Sequence, residues 1–210
     1  MDNMADDQYL QELHEHAKES IVFFSNQNKP ERERCVVRAF FRCLGIPFRE
    51  MDLLVNQREP IDVAALGGRF QVTELLAQDR RRHQEYKDKL EKLKGISSVD
   101  ELLEPWQNLQ PVPWSDVVGW VMSCLSEKTA HADIDALVYI NLGQTFLDVD
   151  STRPDFSEIA KLGWRSVSSV YLPYSVVMSA AEYAPDFIKS AIGFACNAWT
   201  KSGGWFEPDA

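Results

Sequence analysis

The stretch Glu59-Pro60-Ile61-Asp62-Val63-Ala64-Ala65-Leu66-Gly67-Gly68-Arg69-Phe70-Gln71-Val72-Thr73-Glu74 decides how the rest of the chain is read. Two β-type runs, Ile61 to Leu66 and Arg69 to Glu74, flank Gly67-Gly68. That pair is the signal of a two-residue hairpin turn, which needs a positive φ that Gly adopts cheaply. With Leu66 opposite Arg69, Ala64 falls opposite Gln71, Val63 opposite Val72 and Asp62 opposite Thr73. Because strand side chains alternate, one face carries Asp62, Ala64, Gln71 and Thr73, and the other Ile61, Val63, Ala65, Phe70 and Val72. The second face is core. The first gathers a carboxylate, a carboxamide and a hydroxyl, which read either as a chemical site or as an ordinary cross-strand pair on a solvated face.

Pro60-Ile61-Asp62, the short hairpin and Gln71-Val72-Thr73-Glu74 resemble the signature of the PD-(D/E)XK nuclease superfamily. The chain as a whole is similar to a bacterial family of endonuclease-labelled proteins whose function is not established. The resemblance implies an α/β (α+β) fold with a restriction-endonuclease-like core: a central mixed sheet carrying the β-hairpin 61–74, flanked by helices, in αβββαβ order over roughly 30 to 142. It also implies hydrolysis of nucleic acid phosphodiesters by water activated on Mg²⁺ or Mn²⁺. Carried over residue by residue, Asp62 is the main metal ligand and Gln71 stands where the second acid is expected. Thr73 stands in the place of the lysine and would orient water, and the Val72 carbonyl is a further ligand. Glu74 becomes a ligand if a β-bulge turns it onto the active face. Glu33, on the preceding helix, is the outer acid, and Arg80, Arg81, Arg82 and Lys87 neutralise phosphate. The departures have consequences. Asp62 lies one residue further from its Pro than usual, Gln71 offers only a neutral carbonyl oxygen, and Thr73 carries no positive charge. The alternative is a catalytically inactive nuclease-like scaffold acting as a protein or nucleic-acid interaction module.

At 210 residues, 45% hydrophobic and 26% charged, the chain has the composition of a globular protein with a sizeable core. It reads as a single domain, with the N-terminal helix 6–24 and the C-terminal helix and tail 185–210 as additions to the core. No apolar run is long enough to span a membrane and the first ten residues are acidic, so the expected location is cytoplasmic. Cys35, Cys43, Cys124 and Cys196 show neither zinc-type nor disulfide-type spacing and read as buried thiols. A net charge of −10 is unusual for a nucleic-acid partner. The sequence nonetheless concentrates seven Lys/Arg against four Asp/Glu in residues 79–94, which leaves −13 on the remainder.

Along the chain, Tyr9, Leu10, Leu13, Ala17, Ile21 and Phe24 form one face of the first helix. His14 and His16 read as exposed. Pro30 opens a second helix ending at Gly45, with Glu31 and Glu33 in its first turn, where acids also complement the helix dipole. Residues 46–55 read equally as a strand or as a short helix. A polar helix is expected from Leu75 to Lys94, with His83 on its surface, then a short helix near 99–104 and a helix capped by Ser115 ending near Lys128. Asp135 to Leu142 reads as a central strand covered on both faces. Asp155 to Leu162 follows as a short helix, then Trp164 to Tyr171 and Ser175 to Ala180 as a late hairpin or a pair of edge strands. Pro185 to Trp199 reads as a final helix. The serines of the late strands lack a nucleophile elbow and a downstream His, which excludes a serine hydrolase. Phosphate loops, dinucleotide fingerprints and repeats are absent.

Overall fold

The computed structural model describes residues 3–56, 59–77, 80–96, 101, 110–142, 145–152, 154–193 and 195–197. Two compact units emerge, one from Met1–Arg32 and Gln78–Asn108, the other from Glu33–Ala77 and Leu109–Ala210.

The first unit is helical. Helix α1 (Asn3–Phe23) packs on α3 (Arg82–Leu93). Leu10 and Ala17 of the apolar stripe are buried, and Phe24 stacks on Tyr86 with ring centroids 5.1 Å apart. His14 and His83 are not the surface residues expected. The His14 ring meets the Leu93 carbonyl at 3.2 Å and the His83 ring meets the Ile21 carbonyl at 3.1 Å, so each imidazole joins one helix to the other.

The second unit is a seven-stranded mixed sheet in the order β1-β2-β3-β5-β7-β8-β9. Its strands are β1 (Leu54–Val55), β2 (Val63–Ala65), β3 (Gly68–Leu76), β5 (Asp135–Asn141), β7 (Ser166–Tyr171), β8 (Tyr174–Ala180) and β9 (Ala195–Asn197). The first three pair antiparallel, β3, β5 and β7 run parallel, and β7, β8 and β9 pair antiparallel again. Alternation along β5 shows the two layers: Leu137 and Tyr139 join the cluster of α2 (Lys29–Leu44), while Ala136, Val138 and Ile140 join that of α4 (Trp114–Ser126). On the α4 side lies a short parallel pair, β4 (Gln110–Pro113) with β6 (Thr145–Asp148). Two short helices, α5 (Ser157–Ala160) and α6 (Asp186–Lys189), complete the unit.

Helix α2 has Pro30 in its first turn and ends in a Schellman motif. Gly45 takes φ 66°, its N–H reaches the Arg42 carbonyl, and the Ile46 N–H reaches that of Phe41. Phe40 and Phe41 meet Phe70 edge-on at 5.9 and 5.8 Å, an arrangement in which full burial of each ring contributes about 1.5–3 kcal/mol. The α2 surface also holds Arg38, which is 2% exposed. Burial opposes its charge, but Glu50, at 2.8 and 2.9 Å, outweighs that and raises its pKa. The same hydrogen bond from Arg38 lowers the pKa of Glu50.

The hairpin turns one residue earlier than expected. Leu66 and Gly67 occupy the turn at φ 49° and 82°, the two positive values of a type I′ turn. The register is Val63↔Phe70, Ala64↔Arg69 and Ala65↔Gly68. Gly68 is retained inside the strand because a Cβ there would lie 2.4 Å from the Phe70 ring. The partner sum changes by two, so Val63, Ala65, Phe70 and Val72 keep the predicted shared face, but Ile61, before the regular pairing begins, packs on the opposite, α4 side.

Other boundaries move for tertiary reasons. Leu75 and Leu76 belong to β3, held by seven consecutive parallel partners from Phe70↔Asp135 to Leu76↔Asn141, so the polar helix begins only at Arg82. Residues 46–55 resolve into a 3₁₀ turn, Glu50–Asp52, followed by β1. Ser115 is not a cap; α4 begins at Trp114 behind Pro113. The late hairpin forms, but β7 is an interior strand buried along its whole length. The expected helix from Pro185 to Trp199 stops at Lys189. Gly193 at φ 76° donates to the Val177 carbonyl, and Ala195–Asn197 adds to β8 as an edge strand. The expected helix near 99–104 and the tail lie outside the described residues, Glu101 excepted.

One buried ion pair joins three strands at the hairpin end of the sheet. Asp135, 1% exposed, accepts from Arg165 Nε at 3.0 Å, from a second Arg165 nitrogen, from Ser166 Oγ at 2.7 Å and from the Arg69 amide at 2.9 Å. Arg165 also donates to the Gly67 carbonyl at 3.1 Å. Asp135→Ala leaves Arg165 buried and unpaired, and a loss of about 3–5 kcal/mol in urea unfolding is the expected outcome. Leu66→Asn places a residue that tolerates the left-handed region in the turn, and calorimetry should find a gain of about 1 kcal/mol.

Candidate functional site

Asp62 lies just before β2, where regular pairing gives way to side-chain hydrogen bonding. Its amide donates to the Phe70 carbonyl at 2.9 Å and its own carbonyl accepts from the Asn56 amide at 2.8 Å. Its carboxylate Oδ2 accepts the Val72 amide at 2.8 Å. The side chain thus takes over the ladder position that a backbone carbonyl would occupy if β2 continued, an obligation every buried amide imposes.

Gln71 and Thr73 alternate with Leu75 on the α4 side of β3. Gln71 Oε1 and Thr73 Oγ1 are buried and make no hydrogen bond. Glu74 follows the opposite alternation, with Phe70 and Val72 toward α2. The bulge that would turn it does not occur: pairing with β5 is unbroken through Glu74↔Tyr139. Glu33 is a buried residue of α2, 8% exposed. The pleat of β3 therefore places Gln71 and Thr73 on the α4 side and Glu74 on the other, while the Asp62 carboxylate turns to the Val72 amide.

A Mg²⁺ or Mn²⁺ ion seeks about six oxygens in tight geometry, with carboxylates as preferred protein ligands. The face supplies one carboxylate with an oxygen already committed, one carboxamide oxygen and one hydroxyl. Among the described residues no group of three or more His, Cys, Asp or Glu could hold a metal ion. This donor set does not fit a tight divalent-metal centre.

The proposed phosphate-binding residues belong to the helical unit. Arg80 is paired to Glu85 at 2.9 Å, and the Arg82 guanidinium lies 4.0 Å over the Phe24 ring, so both have structural employment. Arg81 and Lys87 are exposed. Of the late-strand serines, Ser166, Ser168, Ser169 and Ser175 are fully buried, in keeping with the exclusion of a serine nucleophile. Cys35 and Cys43 are buried free thiols and Cys124 is half-buried; burial pushes the Cys124 thiol pKa up. Two charged clusters escaped the sequence, Asp135 with Arg165 and Glu50 with Arg34 and Arg38. A charged residue inside an apolar run, Asp135 before ALVYI and Arg38 within CVVRAFF, was the available signal.

The fold and this site define a mixed α/β protein with a central mixed sheet flanked by helices. The chain belongs to the family described as "Putative endonuclease, protein of unknown function (DUF1780)", which matches residues 5–200. It matches no curated protein. A solved structure of a protein of unknown function, PA4535, from Pseudomonas aeruginosa strain PAO1, described as of the monooxygenase superfamily, is similar in fold. The TM-score is 0.65 at 24% identity, over 95% of this chain and 98% of that one. No helix among the described residues is long and apolar enough to cross a membrane.

Thr73→Val removes a buried hydroxyl that has no partner while keeping its shape. Stability unchanged or raised by about 1 kcal/mol is the expected result of denaturant titration.

Proposed function

We propose that this protein is an endonuclease-type scaffold that acts by binding, its metal site reduced to a structural remnant. With α3 and β4 as insertions between β3 and α4, the order α2, β1, β2, β3, α4, β5, with three antiparallel strands and a fourth parallel to the third, supports kinship with the PD-(D/E)XK core. The family description supports an endonuclease ancestry. The observation that carries the reading is the direction of Glu74, which faces α2 on an unbroken strand, while the Asp62 carboxylate is engaged by the Val72 amide. Without a second carboxylate beside Asp62, and with Thr73 where a lysine would stabilise charge, the face lacks the groups that hydrolysis of a phosphodiester demands.

A second reading is favoured by one feature. Gln71 Oε1 and Thr73 Oγ1 are buried acceptors without partners on the α4 side of β3, and such atoms suit a site that orders water. In that reading Asp62, Gln71 and the Val72 carbonyl would be the residues to hold a divalent ion loosely, and the ion would supply the polarisation of a water.

Supercoiled plasmid, single-stranded DNA and RNA incubated with the full chain and Mg²⁺ or Mn²⁺ separate the two. Cleavage no greater than that of Asp62→Asn is expected. Metal-dependent cleavage that disappears in Asp62→Asn would establish the hydrolytic reading instead.

A further inference from the structure

The helical unit carries a groove of about 910 Å³ whose lining includes Arg80 and Arg81 but not Asp62. Tyr9 and Leu13 of α1, with Leu93 and Ile96 at the end of α3, supply its apolar lining. Tyr9 is 48% exposed, unusual for an aromatic residue on the apolar stripe of a packed helix. Around this lining stand Arg81, Lys89 and Lys92.

The charges of the groove are unevenly committed. Glu85 is held by Arg80 at 2.9 Å, Asp88 accepts from Gln84 at 2.8 Å, and Glu101 also has an interaction partner. The side chains of Arg81, Lys89 and Lys92 are exposed and make no ion pair among the described residues. An incoming molecule therefore meets three cations without an ion pair among the described residues, Arg81, Lys89 and Lys92, against one such acid, Asp88, whose partner is a neutral amide, on a chain whose net charge is −10. Arg81 and Lys89 are separated by about 12 Å along the helix axis and Lys92 follows one turn on, so the cations extend over the length of a short peptide rather than converging on one anion.

We propose that this groove binds an acidic amphipathic peptide segment of a partner protein, its apolar side chains on Tyr9, Leu13 and Ile96 and its carboxylates on Arg81, Lys89 and Lys92. The mode is helix-in-groove recognition, in which regularly spaced apolar anchors enter a hydrophobic channel and charges at the margin select the partner. A nucleic acid strand is the poorer occupant. Strand-binding grooves present successive aromatic platforms and a continuous basic track, whereas this lining is aliphatic apart from Tyr9 and its cations are interrupted by Glu85 and Asp88. The inference concerns the helical unit alone and does not depend on the chemistry at Asp62.

The test uses the full chain and a fluorescein-labelled synthetic peptide with leucines at i, i+3, i+4 and i+7 and glutamates between them. The comparison probes are the same peptide with lysine for glutamate and an oligo-dT strand. Saturable binding of the acidic peptide is expected, weakened roughly tenfold or more by Lys89→Glu with Lys92→Glu and little changed by Lys18→Glu, which lies outside the groove. Circular dichroism confirms that the variants remain folded, as surface charge reversals should. Absence of saturable binding, equal binding of the lysine peptide, or indifference to the paired reversal overturns the proposal. Tighter binding of oligo-dT that displaces the acidic peptide overturns it in favour of nucleic acid. None of these outcomes alters the plasmid result, so the two readings fail separately.

Discussion

The carboxylate of Asp135 accepts four hydrogen bonds in a place water does not reach, and the sheet is arranged to supply them. An ionised group in such surroundings persists only when its partners are held in position. The partners come from separate pieces of chain: Arg69 from β3, and Arg165 and Ser166 from the entry to β7. Through the Gly67 carbonyl, Arg165 also reaches the hairpin tip. The interaction therefore ties the antiparallel hairpin to the parallel centre of the sheet, where each strand end would otherwise expose polar backbone. Its contribution is specificity of assembly as much as net stability, because Coulombic gain in a buried pair is largely offset by desolvation.

From that anchored end, the period-two pleat of β3 decides the chemistry. Phe70 seats under Phe40 and Phe41, which sends Val72 and Glu74 toward α2 and Gln71 and Thr73 toward α4. A chain that must bury Phe70 cannot also turn Glu74 toward Asp62 unless a residue is inserted, and the continuous pairing with β5 leaves no room for one. Packing of Phe70 thus fixes the direction of every side chain that follows it on the strand. The Asp62 carboxylate is left to complete the edge of β3 through the Val72 amide.

The helical unit obeys a different constraint. Its apolar contact is modest, and much of the cohesion between α1 and α3 comes from rings: Phe24 on Tyr86, Arg82 over Phe24, and two imidazoles reaching carbonyls across the helix pair. Using Arg80 and Arg82 for structure and leaving Arg81, Lys89 and Lys92 exposed sorts one basic run into two populations. A count of charges cannot make that distinction, because it depends on which way each side chain leaves the helix.

Strong local periodicity made α1, α2 and the buried strand at Asp135 legible in the sequence, since each has one dominant pattern and clear end signals such as Pro30 and Gly45. The alternation along β3 was legible as well: parity survives a shift of the turn by one residue, so Phe70 and Val72 share one face and Gln71 and Thr73 the other although the partners changed. What only the tertiary structure decided was non-local. The end of β3 at Leu76 depends on β5, the edge strand Ala195–Asn197 depends on β8, and the salt bridge of Asp135 depends on a residue thirty positions away. The sequence by itself determined which side chains share a face, because that follows from backbone geometry. Which of those side chains find partners, and which acids meet, was settled by contacts between distant strands, whose free energy no local window contains.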